Sequence, residues 1–175
     1  MVNEAVKAAE AAVRLAAETE GPVYVRLGRA SVPTLYAPGV ELEVGTAYVI
    51  REGSDATIVA CGVEVNEALK AADLLAAEGI SAEVINIHTI KPLDEELVLA
   101  SAKKTGRVVT VEEHNIIGGL GEAVSAVLSE KCPTPVTRIG VNDVFGHSGP
   151  AVDLLKEFGL SAEHIAEVVK EKLSK

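Results

Sequence analysis

Val108-Val-Thr-Val-Glu-Glu-His-Asn-Ile-Ile-Gly-Gly-Leu-Gly121 changes character twice. Val108 to Val111 is an apolar run suited to a strand covered on both faces. It stops at two carboxylates and a histidine, and glycines then open a helix near Gly121. Strand, polar turn and helix in that order are the repeating unit of a parallel α/β sheet. In such sheets the loops at the carboxyl ends of the strands are where ligands and partners are met.

The same unit recurs upstream and downstream. Ala56 to Cys61 is an apolar strand broken by Gly62. Val65, Ala68, Leu69, Ala72, Leu75 and Ala76 follow at the spacing of one helix face, closed by Gly79. Ala82 to Ile87 is a strand. Asp94 is placed as the N-cap of the next helix, with Leu93 and Val98 as a hydrophobic staple and Gly106 as its end. A strand over 107–112, a helix near 121–130, a strand over 135–140 and two short helices complete the chain. The last helix has Ser161 as N-cap and Leu160 with Ile165 as staple. Ala47 to Ile50 is one more short strand at the start. This alternation predicts an α/β fold, a three-layer α/β/α domain with a mainly parallel sheet, over residues 46–175.

Residues 1–45 follow another pattern. Residues 3–19 are rich in Ala, Glu, Lys and Arg and read as a helix. Gly21-Pro22 ends it, and Val23 to Leu27 reads as a strand. A lone helix and strand have no sheet to complete, so residues 1–33 read as the tail of a preceding domain and residues 34–45 as a linker. Such a pair exposes apolar surface unless it docks on the main domain or on another copy, so self-association is expected.

The chain has 16 basic and 26 acidic residues, a net charge of −10, which disfavours phosphate backbones and anionic lipid. No nucleic-acid or membrane partner is expected. Aromatic residues are 3% of the chain, so the core must be aliphatic. Cys61 and Cys132 stand far apart with no second cysteine near either, and read as buried free thiols. No apolar run reaches the ~18–20 residues of a membrane span, and no signal peptide is visible. The reading is a soluble, cytoplasmic protein.

Each chemically suggestive group has a plainer reading beside it. Glu112, Glu113 and His114 are adjacent on extended backbone and alternate in direction, which speaks against a metal site; a strand end whose carboxylates cap nearby amides or pair across an interface is favoured. Gly118-Gly-Leu-Gly121 resembles a phosphate loop but lacks the spacing and the Lys of one, so tight packing accounts for it. His147 and Ser148 are neighbours with only Asp143 near in sequence, which favours a structural or interface loop over a catalytic triad. His88 reads as a satisfied structural residue, and His164, at N3 of the last helix, as surface. Arg26 and Arg29 stand at the end of the first strand, where an arginine suits phosphate or carboxylate, although a surface arginine is the default reading.

Four segments together resemble the C-terminal part of transketolase. They are Asp55-Ala-Thr-Ile-Val-Ala-Cys-Gly-Val-Glu-Val65, Ile90-Lys-Pro-Leu-Asp94, Thr110-Val-Glu-Glu-His114 with Gly118-Gly-Leu-Gly121, and Asp143-Val-Phe-Gly-His-Ser-Gly149. Each is weak alone, but the ordered set is specific. Residues 1–33 look like the last helix and strand of that family's pyrimidine-binding domain, and residues 46–175 like its C-terminal domain.

The resemblance implies a complete enzyme that moves two-carbon ketol units between sugar phosphates, using thiamine diphosphate and a divalent ion such as Mg. It implies partners carrying the diphosphate-binding and pyrimidine-binding domains. The family's catalytic and metal-binding residues lie in those two domains, so no catalytic, cofactor-binding or metal-ligating residue is expected here, and this chain alone is expected to bind no cofactor and to be inactive. One position carries over: Arg29 matches a family arginine that contacts the substrate phosphate. The alternatives are the equivalent part of deoxyxylulose-phosphate synthase, or of a 2-oxoacid dehydrogenase β subunit, and a non-enzymatic interaction or regulatory module.

Overall fold

A computed structural model of the chain describes residues 4–28 and 43–174, with side chains from residue 9 onward in the first helix. Arg29, most of the expected linker and the end of the expected tail lie outside the described residues. The elements are α1 (Glu4–Glu18), β1 (Tyr48–Arg51), β2 (Ala56–Ala60), α2 (Glu64–Ala77), β3 (Ala82–Asn86), α3 (Glu95–Thr105), β4 (Val108–Asn115), α4 (Leu120–Lys131), β5 (Val136–Val141), α5 (Ala151–Glu157) and α6 (Ala162–Leu173).

The strands form one sheet in the order β1-β3-β2-β4-β5. β2 pairs in parallel with both β3 and β4, β4 pairs in parallel with β5, and only the edge strand β1 is antiparallel, to β3. The sheet is therefore mainly parallel, as its apolar strands require. Every residue of β2 and of β3 is buried.

Side-chain alternation sends neighbouring strand residues to opposite faces. Ile58 and Val84 pack with Val65, Leu75, Ile165 and Val169 of α2 and α6. Val59 and Ile85 pack with Val98 of α3 and Leu120, Val124 and Leu128 of α4. Two aliphatic cores on opposite faces make the three layers. Burying each such side chain stabilises the fold by roughly 1.5–3 kcal/mol.

The helix starts show how local chemistry and packing divide the task. Asp94 caps α3: its Oδ1 accepts the Leu97 amide at 3.0 Å, and its Oδ2 accepts the Ala47 amide at 2.9 Å, tying the entry of β1 to the helix. Gly106 closes α3 in the left-handed region, at φ 67°. Both expected staples are packed, Leu93 with Val98 and Leu160 with Ile165. Ser161 stands at the N-cap of α6, but its side chain makes no capping bond. Glu67 of α2 caps the helix instead, accepting the Ala162 amide at 3.1 Å.

Three expectations need correction. Val23 to Leu27 is not a strand, because no described strand lies beside it to share hydrogen bonds; Val23, Tyr24 and Leu27 are exposed. The strand expected to end at residue 112 runs to Asn115, because Asn115 pairs with Val141 after a register shift beyond Val111. Cys61 and Cys132 are free but only partly buried, since both sit at element ends where the layers open. Among the described residues no helix is long and apolar enough to cross a membrane.

Replacing Asp94 by Ala removes both amide contacts and is expected to lower stability by about 2 kcal/mol, read as a shift of the urea midpoint at constant m-value.

Candidate functional site

The strand order reverses direction between β2 and β4, so the carboxyl ends of these two strands are the position where an open α/β sheet receives ligands. Glu112 occupies it. Its side chain is 2% exposed. Its Oε2 accepts the Leu120 amide at 2.7 Å, and its Oε1 accepts the Gly121 amide at 2.8 Å. A carboxylate at the positive end of α4 satisfies two amides that the helix leaves free.

This contact explains Gly119. A Cβ on Gly119 would lie 2.0 Å from Glu112 Oε2, and one on Gly121 would press on Arg138 and Thr110 at 2.8–2.9 Å. The turn is thus shaped around an internal anion. The same contact tests whether the loop suits a diphosphate. It does not, because the amides that would cradle phosphate already hold Glu112. Among the described residues no group of three or more His, Cys, Asp or Glu is placed to hold a metal ion.

The neighbours of Glu112 diverge, as their alternation predicts. Glu113 is exposed at its side chain, and its carbonyl accepts Arg26 Nη2 at 2.9 Å. His114 Nδ1 lies 2.7 Å from its acceptor, the Asn115 carbonyl, and 3.9 Å from Glu112 Oε2. Asn115 joins two loops: its Oδ1 accepts the Ile117 amide, and its Nδ2 donates to Asp143 Oδ1, each at 2.8 Å. Asp143 is held there at φ 52°.

His147 instead meets Glu157 Oε1 through Nε2 at 2.8 Å, and its ring lies 5.8 Å from that of Phe158. The Glu157 hydrogen bond raises its pKa, with the Ser148 carbonyl adding to the effect. No Ser–His–Asp arrangement forms among the described residues. Phe145 in the same loop is fully exposed, beside exposed Val144, which suits an interface loop.

His88 stacks on Tyr48 at 5.6 Å, and its Nδ1 pairs with Thr89 Oγ1 at 2.9 Å. Its Nε2 is buried without a partner among the described residues, so it is only half satisfied, contrary to expectation. Burial lowers its pKa. His164 is exposed on α6, as expected. Burial pushes the Cys61 thiol up to about 12, which makes it a poor nucleophile.

Sequence reasoning missed Glu64. It is fully buried at the first turn of α2, with neither oxygen hydrogen-bonded among the described residues, and its pKa is raised to about 8, first by burial. Its place after a strand-ending Gly62 was the available signal. A cleft of about 90 Å³ between β5 and α6 contains Arg138, Asn142 and His164, but small-molecule sites usually need roughly 300–1,000 Å³. The hollow beside α4, about 510 Å³, is lined by Ser125, Ser129 and Pro133 to Val136, none of them an acid or base.

Two measurements check this geometry. Gly119→Ala is expected to destabilise the domain by about 2–3 kcal/mol in urea unfolding, because the new methyl displaces Glu112 from both amides. The His147 pKa is expected to fall toward its ordinary value in Glu157→Gln, read by proton NMR titration. Its raised pKa means that the stabilising pair is present at low pH and is lost as pH rises through the folded-state value.

The family profile for the transketolase C-terminal domain matches residues 45–165. The 6-deoxy-6-sulfo-D-fructose transketolase subunit SqwH of Clostridium sp. (strain MSTE9) is 49% identical over 152 residues, covering 87% of this chain and 47% of that protein. A protein of Methanocaldococcus jannaschii named as a transketolase C-terminal section is 46% identical over 166 residues, covering 93% of this chain and 52% of its own length. The chain thus spans about half the length of these curated relatives. A solved split-gene transketolase, described as an inactive β4 tetramer, is 49% identical with a TM-score of 0.92, covering 98% of this chain and 56% of that one. A profile that takes in most of the sequence, and a solved relative that superposes on nearly all of it, place this chain in the transketolase C-terminal domain family.

Proposed function

We propose that this chain is the C-terminal part of a transketolase, which in its complete form transfers two-carbon ketol units between sugar phosphates in the cytoplasm. The observation that carries the reading is the half-length match to relatives that are themselves subunits or C-terminal sections. The complete enzyme would use thiamine diphosphate and a magnesium ion, held by diphosphate- and pyrimidine-binding domains outside this chain. The filled helix end at Glu112 supports placing the cofactor elsewhere.

In this reading residues 1–33 close the pyrimidine-binding domain, residues 34–45 link, and residues 46–175 form the C-terminal domain. Arg29 contributes to the active site by binding the anionic end of the substrate. The C-terminal domain provides subunit contacts, including self-association. The solved relative described as an inactive β4 tetramer supports both the assembly and the lack of activity of the isolated part. The similarity to a sulfofructose transketolase subunit favours a second reading of the substrate, in which Arg29 meets a sulfonate in place of a phosphate.

The isolated chain with thiamine diphosphate and magnesium is expected to show no ketol transfer in a coupled assay, and turnover above background would reject the assignment. In the reconstituted complete enzyme, Arg29→Ala is expected to raise KM for phosphorylated sugars by about tenfold or more, because a charge-assisted contact is lost. Comparing phosphorylated with sulfonated sugars as substrates decides between the two readings.

A further inference from the structure

The exposed apolar side chains of the sheet domain gather at one end of it. Val44, Ile90, Ile117, Val144, Phe145 and Val152 are all exposed, Phe145 completely. Ile90 follows β3, Ile117 follows β4, and Val144 and Phe145 follow β5. Val152 lies in the first turn of α5, just beyond the same loop. Val44 precedes β1, which is antiparallel and starts opposite Asn86, the last residue of β3. All of them therefore stand at the carboxyl end of the sheet. Among the described residues of this domain, Leu74 is the one other large apolar side chain so exposed. It lies near the close of α2, which runs back toward the start of β3 and the opposite end. Single exposed apolar residues are ordinary, but a set collected on one face marks a contact.

The loops that carry this set are held in place. Asn115 accepts the Ile117 amide through Oδ1 and donates through Nδ2 to Asp143 Oδ1, each at 2.8 Å. That pair of bonds brings the Ile117 turn and the Val144–Phe145 loop together. On the other flank, His147 Nε2 lies 2.8 Å from Glu157 Oε1, which braces the loop against α5. Phe145 therefore projects from a loop tied on both sides. A whole aromatic ring presented in this way is suited to anchor a partner surface.

The amino-terminal segment shows which partner fits. Arg26 Nη2 donates to the Glu113 carbonyl near the end of β4, at 2.9 Å. Gly28 lies against Val63, just beyond β2, where an added Cβ would be 3.8 Å from Val63 Cγ1. β2, β4 and β5 are consecutive in the sheet, so these contacts and the Phe145 loop form one row. Val23, Tyr24 and Leu27 are exposed as well, and no strand pairs with them among the described residues. A body that paired with this segment would cover its apolar side chains. It would also meet the sheet domain where the segment ends, at the carboxyl ends of β2 and β4.

We propose that the carboxyl end of the sheet is the seat of the preceding domain in the complete polypeptide, with Phe145 as its anchor. The surface rests on the reading of residues 1–33 as the tail of that domain. Val144 and Ile117 extend the seat from β5 toward β4, and Arg26 and Gly28 continue it across β4 and β2. The tail is then one edge of a larger interdomain contact, and the exposed loop after β5 is its other edge.

The test is maleimide labelling of Phe145→Cys, with Cys61→Ser and Cys132→Ser removing both free thiols. It compares this chain alone with the polypeptide extended to include the preceding domain. Labelling at 145 is expected to be slower by about tenfold or more in the extended polypeptide. Leu74→Cys in the same background is expected to react equally in both. Equal rates at 145 overturn the proposal, as does slowing of the same size at 145 and 74. Shielding of 145 in this chain alone that grows with concentration also overturns it, because a second copy is then the occupant. Should the serine background fail to fold, hydrogen exchange of the 143–149 amides in the unaltered chain and its extended form decides. Ketol transfer by the complete enzyme is measured separately. Inactivity with 145 shielded rejects the functional reading alone, and activity with 145 open rejects the seat alone.

Discussion

The carboxylate of Glu112 at the amino end of α4 is the contact on which the carboxyl-end architecture turns. A helix start leaves several amides without partners, and burying them unmet is costly. Glu112 meets the amides of Leu120 and Gly121 from the preceding strand, so strand and helix are locked by a charge in a nearly dry place. The lock admits no side chain at Gly119. Farther along β4, Asn115 donates to Asp143 and joins the β4 and β5 loops.

The same device recurs. Asp94 holds the start of α3 and the entry to β1, and Glu67 reaches from α2 to hold the start of α6. Three of the acids behind the −10 net charge therefore serve as internal counter-groups to helix ends. This changes the meaning of the acidic composition, which suggested mainly a surface that avoids polyanions. It also explains why a ligand-facing sheet end contains no open anion cradle: the chain has supplied its own anion.

Much of this was legible from residue order. Apolar runs, one helical period, caps and glycine breakers marked the elements of the sheet domain, because these signals are locally encoded. Asp94 was readable as a cap because its bond is three residues long, and the alternation of Glu112, Glu113 and His114 followed from extended backbone alone. What escaped depended on distant elements. Ser161 carried the expected capping residue type, yet Glu67 took its task from another helix. Val23 to Leu27 had strand composition but no strand beside it among the described residues. His88 was expected to be satisfied, and only the packing shows one of its nitrogens unmet.

The sequence by itself determined an aliphatic α/β domain, its sheet-domain elements, the cap at Asp94 and a family likeness, because these depend on periodicity and on short-range bonds. The tertiary structure alone decided the strand order, the partner of each buried acid and the isolation of Glu64. Those features arise where segments far apart in the chain meet. There, the cost of leaving a charge or an amide unpaired is set by which neighbours the packing brings within reach.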